Sequence, residues 1–348
     1  MYDENRELRK LKSLNFALTF ECEKDCRHCA VNSVRPGRGR HIPFRIVRDL
    51  ISDLLSRGLT LDATVGFTGG EPFLYRDQDH RLADAVEYAL ERGFGRVEVQ
   101  TAGWSEVDGD PEYDLQYERL AALAGPDRLS INLSFNLYQN GDPVRRLTNT
   151  VARFWDHGFN PAVYASVDLE NYLLTYLKFY AAMTVDFGAA PEIDFETVIS
   201  RYEEHDFSFR ENRFSRGDSH YVLFKPSVAV RAGRARGLRC RFFRASNNCR
   251  NILGDKDCLL ISPRCEVYLC CQPHVYAYMC PVASLAAQSV SQVLYQAFLF
   301  RKAFREAFTG FDPECSLCEA CAAFCRSYPE AAPVRSRHNL AGAEVPSP

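Results

Sequence analysis

Three cysteines lie close together near the start of the 348-residue chain, at Cys22, Cys26 and Cys29. The next cysteine along the chain is Cys240. Three thiols cannot all pair as local disulfides, and a structural zinc site usually takes four ligands from two separated pairs. The spacing C-x3-C-x2-C supplies three thiolates, so the group they bind keeps one coordination position open. We interpret the triplet as the ligands of a [4Fe–4S] cluster with one open iron; buried or zinc-binding cysteines are the alternative.

A second unusual segment follows the second strand-like run and consists of Gly69, Gly70, Glu71 and Pro72. By itself such a segment is typical of a turn. Together with C-x3-C-x2-C after the first strand-like run, it resembles the radical S-adenosylmethionine (SAM) superfamily. The resemblance implies that SAM chelates the open iron through its amino and carboxylate groups. It also implies that the Gly-Gly-Glu segment contacts the SAM amino group, where glycines allow a close backbone approach.

Three further positions extend the resemblance. His28 precedes the third cysteine, where the family usually has an aromatic residue that packs near the adenine. An imidazole ring can also stack, so we expect His28 to contact SAM. Ser134 and Asn136 end the fourth predicted strand, where the family often contacts the ribose and carboxylate of SAM. Ordinary polar residues at a strand end are the alternative.

The elements that must position these residues alternate between strand-like and helix-like patterns. Six strands are predicted within residues 14–20, 61–72, 95–104, 127–136, 160–170 and 219–235. Amphipathic helices are predicted within residues 43–58, 81–93, 113–125 and 142–158. Repeated β-α units with short loops indicate parallel strands joined by right-handed crossovers, with the chemistry at their carboxyl ends. We therefore predict an α/β fold, a partial (β/α)6 TIM-like barrel followed by a small cysteine-rich domain.

Composition excludes several classes of protein. Hydrophobic residues make up 46% of the chain and aromatic residues 12%, enough for a sizeable core. A net charge of -3 gives no reason to expect nucleic acid as a partner. No apolar run approaches the roughly 18 residues of a membrane span, and the charged N-terminus lacks the apolar centre of a secretory signal. We predict a soluble cytoplasmic protein with neither nucleic acid nor a membrane as partner.

The other eleven of the fourteen cysteines fall between Cys240 and Cys325. So many cysteines in a cytoplasmic protein indicate metal or redox chemistry more than disulfides. In the bacterial ferredoxin spacing C-x2-C-x2-C-x3-C, the fourth cysteine ligates a different cluster from the first three. This spacing occurs at Cys315, Cys318, Cys321 and Cys325.

The same region resembles the auxiliary-cluster extensions called SPASM and twitch domains. Their opening motif, C-x(9–15)-G-x4-C, is matched by Cys249 and Cys270, with Cys265 in the place of the glycine. The later SPASM motif is only approximated, and its terminal cysteine is missing. The resemblance implies one auxiliary [4Fe–4S] cluster on Cys249, Cys258, Cys270 and Cys325. It implies a second on Cys315, Cys318 and Cys321, with a fourth ligand, if any, among Cys240, Cys265, Cys271 and Cys280. A zinc site is the alternative.

Three regions follow from these motifs. We predict a radical SAM barrel over residues 1–235, an auxiliary-cluster domain over 236–330 and a flexible tail over 331–348, which is rich in Pro and Ala. The resemblance implies reductive cleavage of SAM to methionine and a 5′-deoxyadenosyl radical, with electrons from a flavodoxin- or ferredoxin-type reductant. An auxiliary cluster with four cysteines would accept an electron from the substrate radical and give net oxidation. Hydrogen return would instead give a redox-neutral rearrangement or epimerisation.

Two substrate classes stay open, and no catalytic side chain is assigned. The first class is a small polar metabolite of natural-product biosynthesis: a sugar, aminocyclitol or nucleoside intermediate. The second is a ribosomally synthesised precursor peptide. Peptide maturases often carry a leader-binding domain before the barrel, and only 21 residues precede Cys22, which favours the small molecule. A non-enzymatic iron–sulfur carrier would not need the Gly-Gly-Glu segment.

Overall fold

The computed structural model describes most of the barrel region and parts of the C-terminal region. The described residues are 2–27, 29, 31–107, 110–123, 127–139, 141–167, 171–203, 211–228, 257–270, 281–308 and 324. His28 and the predicted tail lie outside them, as do Cys240, Cys249, Cys271, Cys280, Cys315, Cys318, Cys321 and Cys325.

Strands and helices alternate along most of the described chain. The strands are β1 (Leu11–Thr19), β2 (Thr64–Gly69), β3 (Arg76–Asp77), β4 (His80–Arg81), β5 (Arg96–Thr101), β6 (Leu129–Phe135), β7 (Ala162–Val167), β8 (Ala190–Pro191), β9 (Asn212–Arg216), β10 (His220–Val228), β11 (Asp257–Ile261), β12 (Glu266–Tyr268) and β13 (Ala283–Ser284). The helices are α1 (Glu4–Lys10), α2 (Phe44–Ser56), α3 (Leu82–Glu91), α4 (Pro111–Leu123), α5 (Pro143–Asp156), α6 (Tyr172–Ala181), α7 (Phe195–Glu203) and α8 (Val290–Phe308). Within this set, β3 and β4 form a separate two-stranded hairpin.

The main sheet is mostly parallel. Its strand order is β13-β12-β11-β1-β2-β5-β6-β7-β10-β9-β8. The six strands predicted from the sequence are β1, β2, β5, β6, β7 and β10, and each pairs in parallel with the next. Helices α2 to α5 occupy the four predicted helical segments. The predicted α/β fold with a partial barrel is therefore confirmed.

Local sequence explains why these helices form and how they face the sheet. In α2 the buried residues are Val47, Leu50, Ile51 and Leu54, a spacing that places them on one helical face. Helix α5 begins at Pro143, and the Asp142 side chain accepts a hydrogen bond from the Arg145 backbone amide at 3.1 Å. An aspartate cap followed by proline is a favourable start for a helix.

The C-terminal strands continue the barrel sheet. Strand β11 pairs in parallel with β1 on the side opposite β2, and β12 and β13 follow it in antiparallel order. Helix α8 anchors this extension, because Arg301 lies 3.0 Å from Glu7 and 3.3 Å from Asp257. The described part of the predicted auxiliary-cluster domain therefore shares one sheet with the barrel.

Among the helices in the described ranges, none combines the length and the apolar character that a membrane crossing requires.

Candidate active site

The three N-terminal cysteines lie on a loop that begins where β1 ends. We call residues 21–34 the cysteine loop. Its two ends are tied together: the Cys22 amide donates to the Val34 carbonyl at 2.9 Å, and the Val34 amide donates to the Phe20 carbonyl at 3.0 Å. The three cysteines are each partly buried. The loop thus stands at the carboxyl end of β1, where the barrel prediction places the chemistry.

The Gly-Gly-Glu segment docks directly against the base of this loop. The Gly70 amide donates to the Thr19 carbonyl at 2.8 Å, and the Glu71 amide donates to the Glu21 carbonyl at 2.7 Å. A side chain on Gly70 would collide with the Glu21 carbonyl, and Gly69 has a φ of +141° that favours glycine. The close backbone approach seen here is therefore to the chain itself, and it joins the two sequence motifs.

The Glu71 carboxylate points into the protein. Glu71 is only 1% exposed. The carboxylate accepts hydrogen bonds from the Thr101 hydroxyl, from the Phe73 amide at 3.2 Å and from the Ala102 amide at 2.9 Å. Burial raises the pKa of Glu71, and Lys24 opposes this shift. The side chain consequently ties the end of β2 to the end of β5, and Pro72 starts a short 3-10 turn after it.

Burial and hydrogen bonds define the environment of the three thiols. Burial, reinforced by the charge of Glu71, raises the pKa of Cys22 to about 12, and a bound metal ion would reverse this preference. Cys26 Sγ lies 3.4 Å from the Lys24 carbonyl, and the Ser33 amide donates to Cys29 Sγ at 3.4 Å. Within the described residues no three His, Cys, Asp or Glu side chains are grouped closely enough to hold a metal ion. Three thiols on one loop are the right donors for an iron–sulfur cluster, and their sulfur atoms must converge when it binds.

Ser134 and Asn136 lie at the carboxyl end of β6, on the same edge of the sheet as the cysteine loop. Ser134 Oγ accepts a hydrogen bond from Gln100 Nε2 at 3.1 Å. Asn136 is buried, and its Oδ1 accepts from the Tyr138 amide at 3.0 Å. Ser134 is thus available at the barrel mouth, whereas the Asn136 side chain holds the turn after β6.

One face of the barrel strands is polar and only partly buried, and we call it the lumen face. The alternation along β5 buries Val97 and Val99 and leaves Glu98 and Gln100 half-exposed on the other face. The polar lumen residues are Glu98, Gln100, Asn132, Ser134, Tyr164 and Lys225. Three cross-strand contacts show that they share this face: Gln100 to Ser134, Asn132 to Glu98 at 3.5 Å, and Lys225 over the Tyr164 ring at 5.8 Å.

Apart from Ser134, the sequence prediction missed the lumen residues, although a signal was present. Parallel strands buried on both faces read as nearly continuous apolar runs. Residues 96–101, RVEVQT, and 129–135, LSINLSF, instead alternate between apolar and polar letters. That alternation indicates a parallel sheet with one face open to a polar ligand.

A polar cavity of about 450 Å³ lies between Trp104 and helix α5, and Tyr113 also lines it. Two of its arginines are paired within the chain, Arg146 with Glu106 at 3.4 Å and Arg153 with Asp114. Trp104 and Tyr113 also contact Lys24 of the cysteine loop, so this cavity lies beside that loop.

Three C-terminal cysteines are described, and two of them occupy related positions. Register pairs Leu260 with Tyr268, so Cys258 and Cys270 stand opposite each other when this register is extended by two residues. The Cys270 side chain packs against Leu260 and Tyr268. Asn15 Nδ2, on β1, donates to Cys258 Sγ at 3.1 Å. The extended register thus puts these two predicted ligands at facing positions of neighbouring strands.

The turn between β11 and β12 accounts for the third described cysteine. Cys265 has a φ of +61°, in the left-handed region that favours glycine. This agrees with its place in the opening motif, where glycine is expected.

Cys258 pairs with Ser13, six residues before Thr19, so Cys258 lies about 20 Å along the strand direction from the cysteine loop.

Comparison with known proteins identifies the N-terminal part of the chain. Residues 17–156 match the family model described as the radical SAM superfamily, and this part of the chain is a radical SAM domain. A radical SAM domain implies an enzyme whose cofactors are a [4Fe–4S] cluster and SAM. No curated protein matches the chain.

SuiB and anSMEcpe, two solved structures, are similar to this chain in fold. Streptococcus suis SuiB bound to the precursor peptide SuiA is 12% identical, with a TM-score of 0.51 over 90% of this chain and 70% of that one. Hexahistidine-tagged anSMEcpe with bound AdoMet is 13% identical and has a TM-score of 0.50; the match covers 92% of this chain and 91% of that one. BtrN in complex with AdoMet and 2-DOIA is 11% identical and has a TM-score of 0.47; the match covers 89% of this chain and 92% of that one. At these identities the likeness concerns the fold.

Proposed function

We propose that the chain is a radical SAM oxidoreductase acting on a small polar metabolite: a sugar, an aminocyclitol or a nucleoside intermediate of natural-product biosynthesis. The observation that carries this proposal is the polar lumen face. When bound, the cluster and SAM would supply radical chemistry that removes hydrogen from carbon, with an electron from a flavodoxin- or ferredoxin-type reductant.

The chain's own residues hold and orient the reacting groups. Cys22, Cys26 and Cys29 hold the cluster. The Glu71 carboxylate is already occupied by three donors, so the backbone of the Gly-Gly-Glu segment would contact the SAM amino group. Ser134 and His28 would contact the rest of SAM. The apolar strand face and its helices exclude water from behind the site.

The lumen face offers the groups that a polyhydroxylated or amino-substituted substrate requires. Glu98, which also pairs with Arg96 at 2.7 Å, accepts from hydroxyl or ammonium groups. Asn132 and Gln100 both donate and accept, and Tyr164 presents a ring and a hydroxyl. Lys225 already contacts Glu211 at 3.2 Å and supplies a cation near the far end of the face. Such a site rejects analogues that leave its buried polar groups unpaired.

Net oxidation requires an electron acceptor near the substrate. We assign this role to an auxiliary cluster on Cys249, Cys258, Cys270 and Cys325, with a second on Cys315, Cys318 and Cys321. Asn15, on β1, donates to Cys258 Sγ at 3.1 Å, which supports a cluster held against the first barrel strand. The alternative function is maturation of a ribosomal peptide, supported by the fold shared with SuiB, whose structure contains a precursor peptide.

The test is substrate-dependent formation of 5′-deoxyadenosine by reconstituted, reduced protein. Aminocyclitols, sugars, nucleosides and cysteine- or serine-containing peptides are supplied separately. The variant Glu98→Leu should raise KM for the active small molecule at least tenfold, while the exposed Glu118→Leu should leave KM unchanged. Turnover of peptides alone would favour the alternative. Absence of any SAM cleavage under every condition would contradict both functions.

A further inference from the structure

Lys24 lies in the cysteine loop between Cys22 and Cys26, and it is 2% exposed. Lysine is among the residues least often fully buried. Removing an ammonium group from water is costly unless it is paired and hydrogen-bonded. A buried lysine beside the predicted cluster ligands therefore needs partners, and the structure supplies them from three elements.

The Lys24 ammonium is fully surrounded by polar and aromatic groups. Its Nζ donates to Glu23 Oε1 and to the Tyr113 hydroxyl, both at 2.8 Å. Tyr113, on α4, donates in turn to Glu23 Oε1 at 2.8 Å. Glu71 Oε2, from the Gly-Gly-Glu segment, lies 3.9 Å away. The ammonium thus links the cysteine loop, the Gly-Gly-Glu segment and helix α4.

Aromatic rings complete this cage. The Nζ atom lies 4.5 Å from the centre of the Trp104 ring and 4.9 Å from that of Tyr113. The Arg146 guanidinium lies 4.1 Å from the Trp104 ring, which adds helix α5 to the wall. Cation–π contacts of desolvated groups are stronger than exposed ones, so these rings favour the charged ammonium.

The Lys24 main chain is in contact with the cluster ligands themselves. Its carbonyl lies 3.4 Å from Cys26 Sγ, so anchoring the side chain fixes the peptide against which a predicted ligand rests. The charged groups closest to the Lys24 ammonium are the carboxylates of Glu23 and Glu71, at 2.8 Å and 3.9 Å.

We propose that Lys24 is a positioning residue that locks the cysteine loop to the barrel mouth and sets a fixed positive charge beside the cluster. This inference rests on the proposed function, because it takes the three cysteines as cluster ligands. Adding an electron to the cluster is favoured by a nearby positive charge, and net charge is one of the factors that set cluster potentials. Lys24 therefore makes the cluster easier to reduce.

The experiment compares wild type with Lys24→Met and with Lys12→Met, an exposed lysine that pairs with Asp62 at 2.9 Å. Amide hydrogen exchange of residues 22–34 is measured in iron-free protein, and the midpoint potential of the SAM-binding cluster is measured by titration after reconstitution. For Lys24→Met we expect exchange in the loop to be at least tenfold faster and the midpoint potential to be more negative. Lys12→Met should change neither.

A milder variant covers the case in which Lys24→Met does not fold. Tyr113→Phe removes one hydrogen bond from the ammonium and keeps every charge, so loop exchange should rise by a smaller factor while the potential stays close to wild type. Unchanged loop exchange in either folded variant would overturn the positioning role. An unchanged potential in Lys24→Met would overturn the electrostatic role. Failure of wild type to bind any cluster at the loop would instead contradict the proposed function, and the exchange result would still decide the positioning role.

Discussion

Replacing Arg301 should cost the protein a large share of its stability. Arg301 lies on α8, is 5% exposed and reaches two buried carboxylates, Glu7 and Asp257. Glu7 also contacts Lys10 at 2.6 Å, whereas neither Asp257 oxygen has a hydrogen-bond partner among the described residues. The variant Arg301→Leu fills a similar space but leaves Asp257 as a buried carboxylate without its closest cation.

The magnitude follows from this geometry. Removing one partner of a buried ion pair costs about 3–5 kcal/mol, because the remaining charge is left uncompensated. Glu7 keeps Lys10, so most of the penalty falls on Asp257. We expect a loss of about 4 kcal/mol, which corresponds to roughly a thousandfold change in the ratio of folded to unfolded protein.

The assay is urea unfolding under anaerobic conditions, followed by circular dichroism. Lys302→Leu, at a largely exposed position on the same helix, is the matched control and should change the free energy of unfolding by less than about 1 kcal/mol. Adding Asp257→Asn to Arg301→Leu removes the stranded charge and should recover about half of the loss. A loss below about 1 kcal/mol for Arg301→Leu, or no recovery in the double variant, would refute this account.

Three further predictions concern the motifs. Replacing all three cysteines of the cysteine loop with alanine should abolish SAM cleavage and remove about four irons per chain; full 5′-deoxyadenosine production would contradict the cluster assignment. Gly70→Ala should destabilise the fold by about 1–3 kcal/mol and weaken SAM binding in a calorimetric titration, because its new methyl group collides with the Glu21 carbonyl. Equal SAM affinity would show that this docking does not shape the SAM site. Cys325→Ala should lower the iron content by disturbing the cluster on Cys258 and Cys270, while uncoupled SAM cleavage persists. Unchanged iron content and product yield would refute that ligand assignment.

The barrel strands were predictable because each combines an apolar run with a turn or helix signal that follows at short range. Helix α2, for example, was predicted within 43–58 and spans Phe44–Ser56. Helix α6 was missed because its sequence, YLLTYLKFYA, is apolar or aromatic over most of its circumference and gives a weak amphipathic pattern. The pairing of β11 with β1 was not predictable, since no local pattern records a partner so far along the chain.

The candidate site was predictable in its composition and less so in its geometry. The two motifs do meet at one edge of the sheet, because they follow adjacent parallel strands. The inward turn of Glu71 and the burial of Lys24 were missed, since charged residues are normally exposed. Their burial depends on each other and on Tyr113, which comes from a distant helix. The local sequence does not show that these buried charges find partners in distant segments.

The parallel pairing of β1 with β11 has a consequence for how the protein is made. Strand β1 leaves the ribosome first, yet Leu11 finds its partner Asp257 only after most of the chain has been synthesised. Until then one edge of β1 carries unpaired amide and carbonyl groups next to apolar residues, which invites pairing with other chains. Contacts between such distant segments also form slowly, so the nascent protein passes through a long interval of vulnerability to aggregation. A fragment ending after β10 would remain in that state permanently, and expression of the barrel alone should yield insoluble protein.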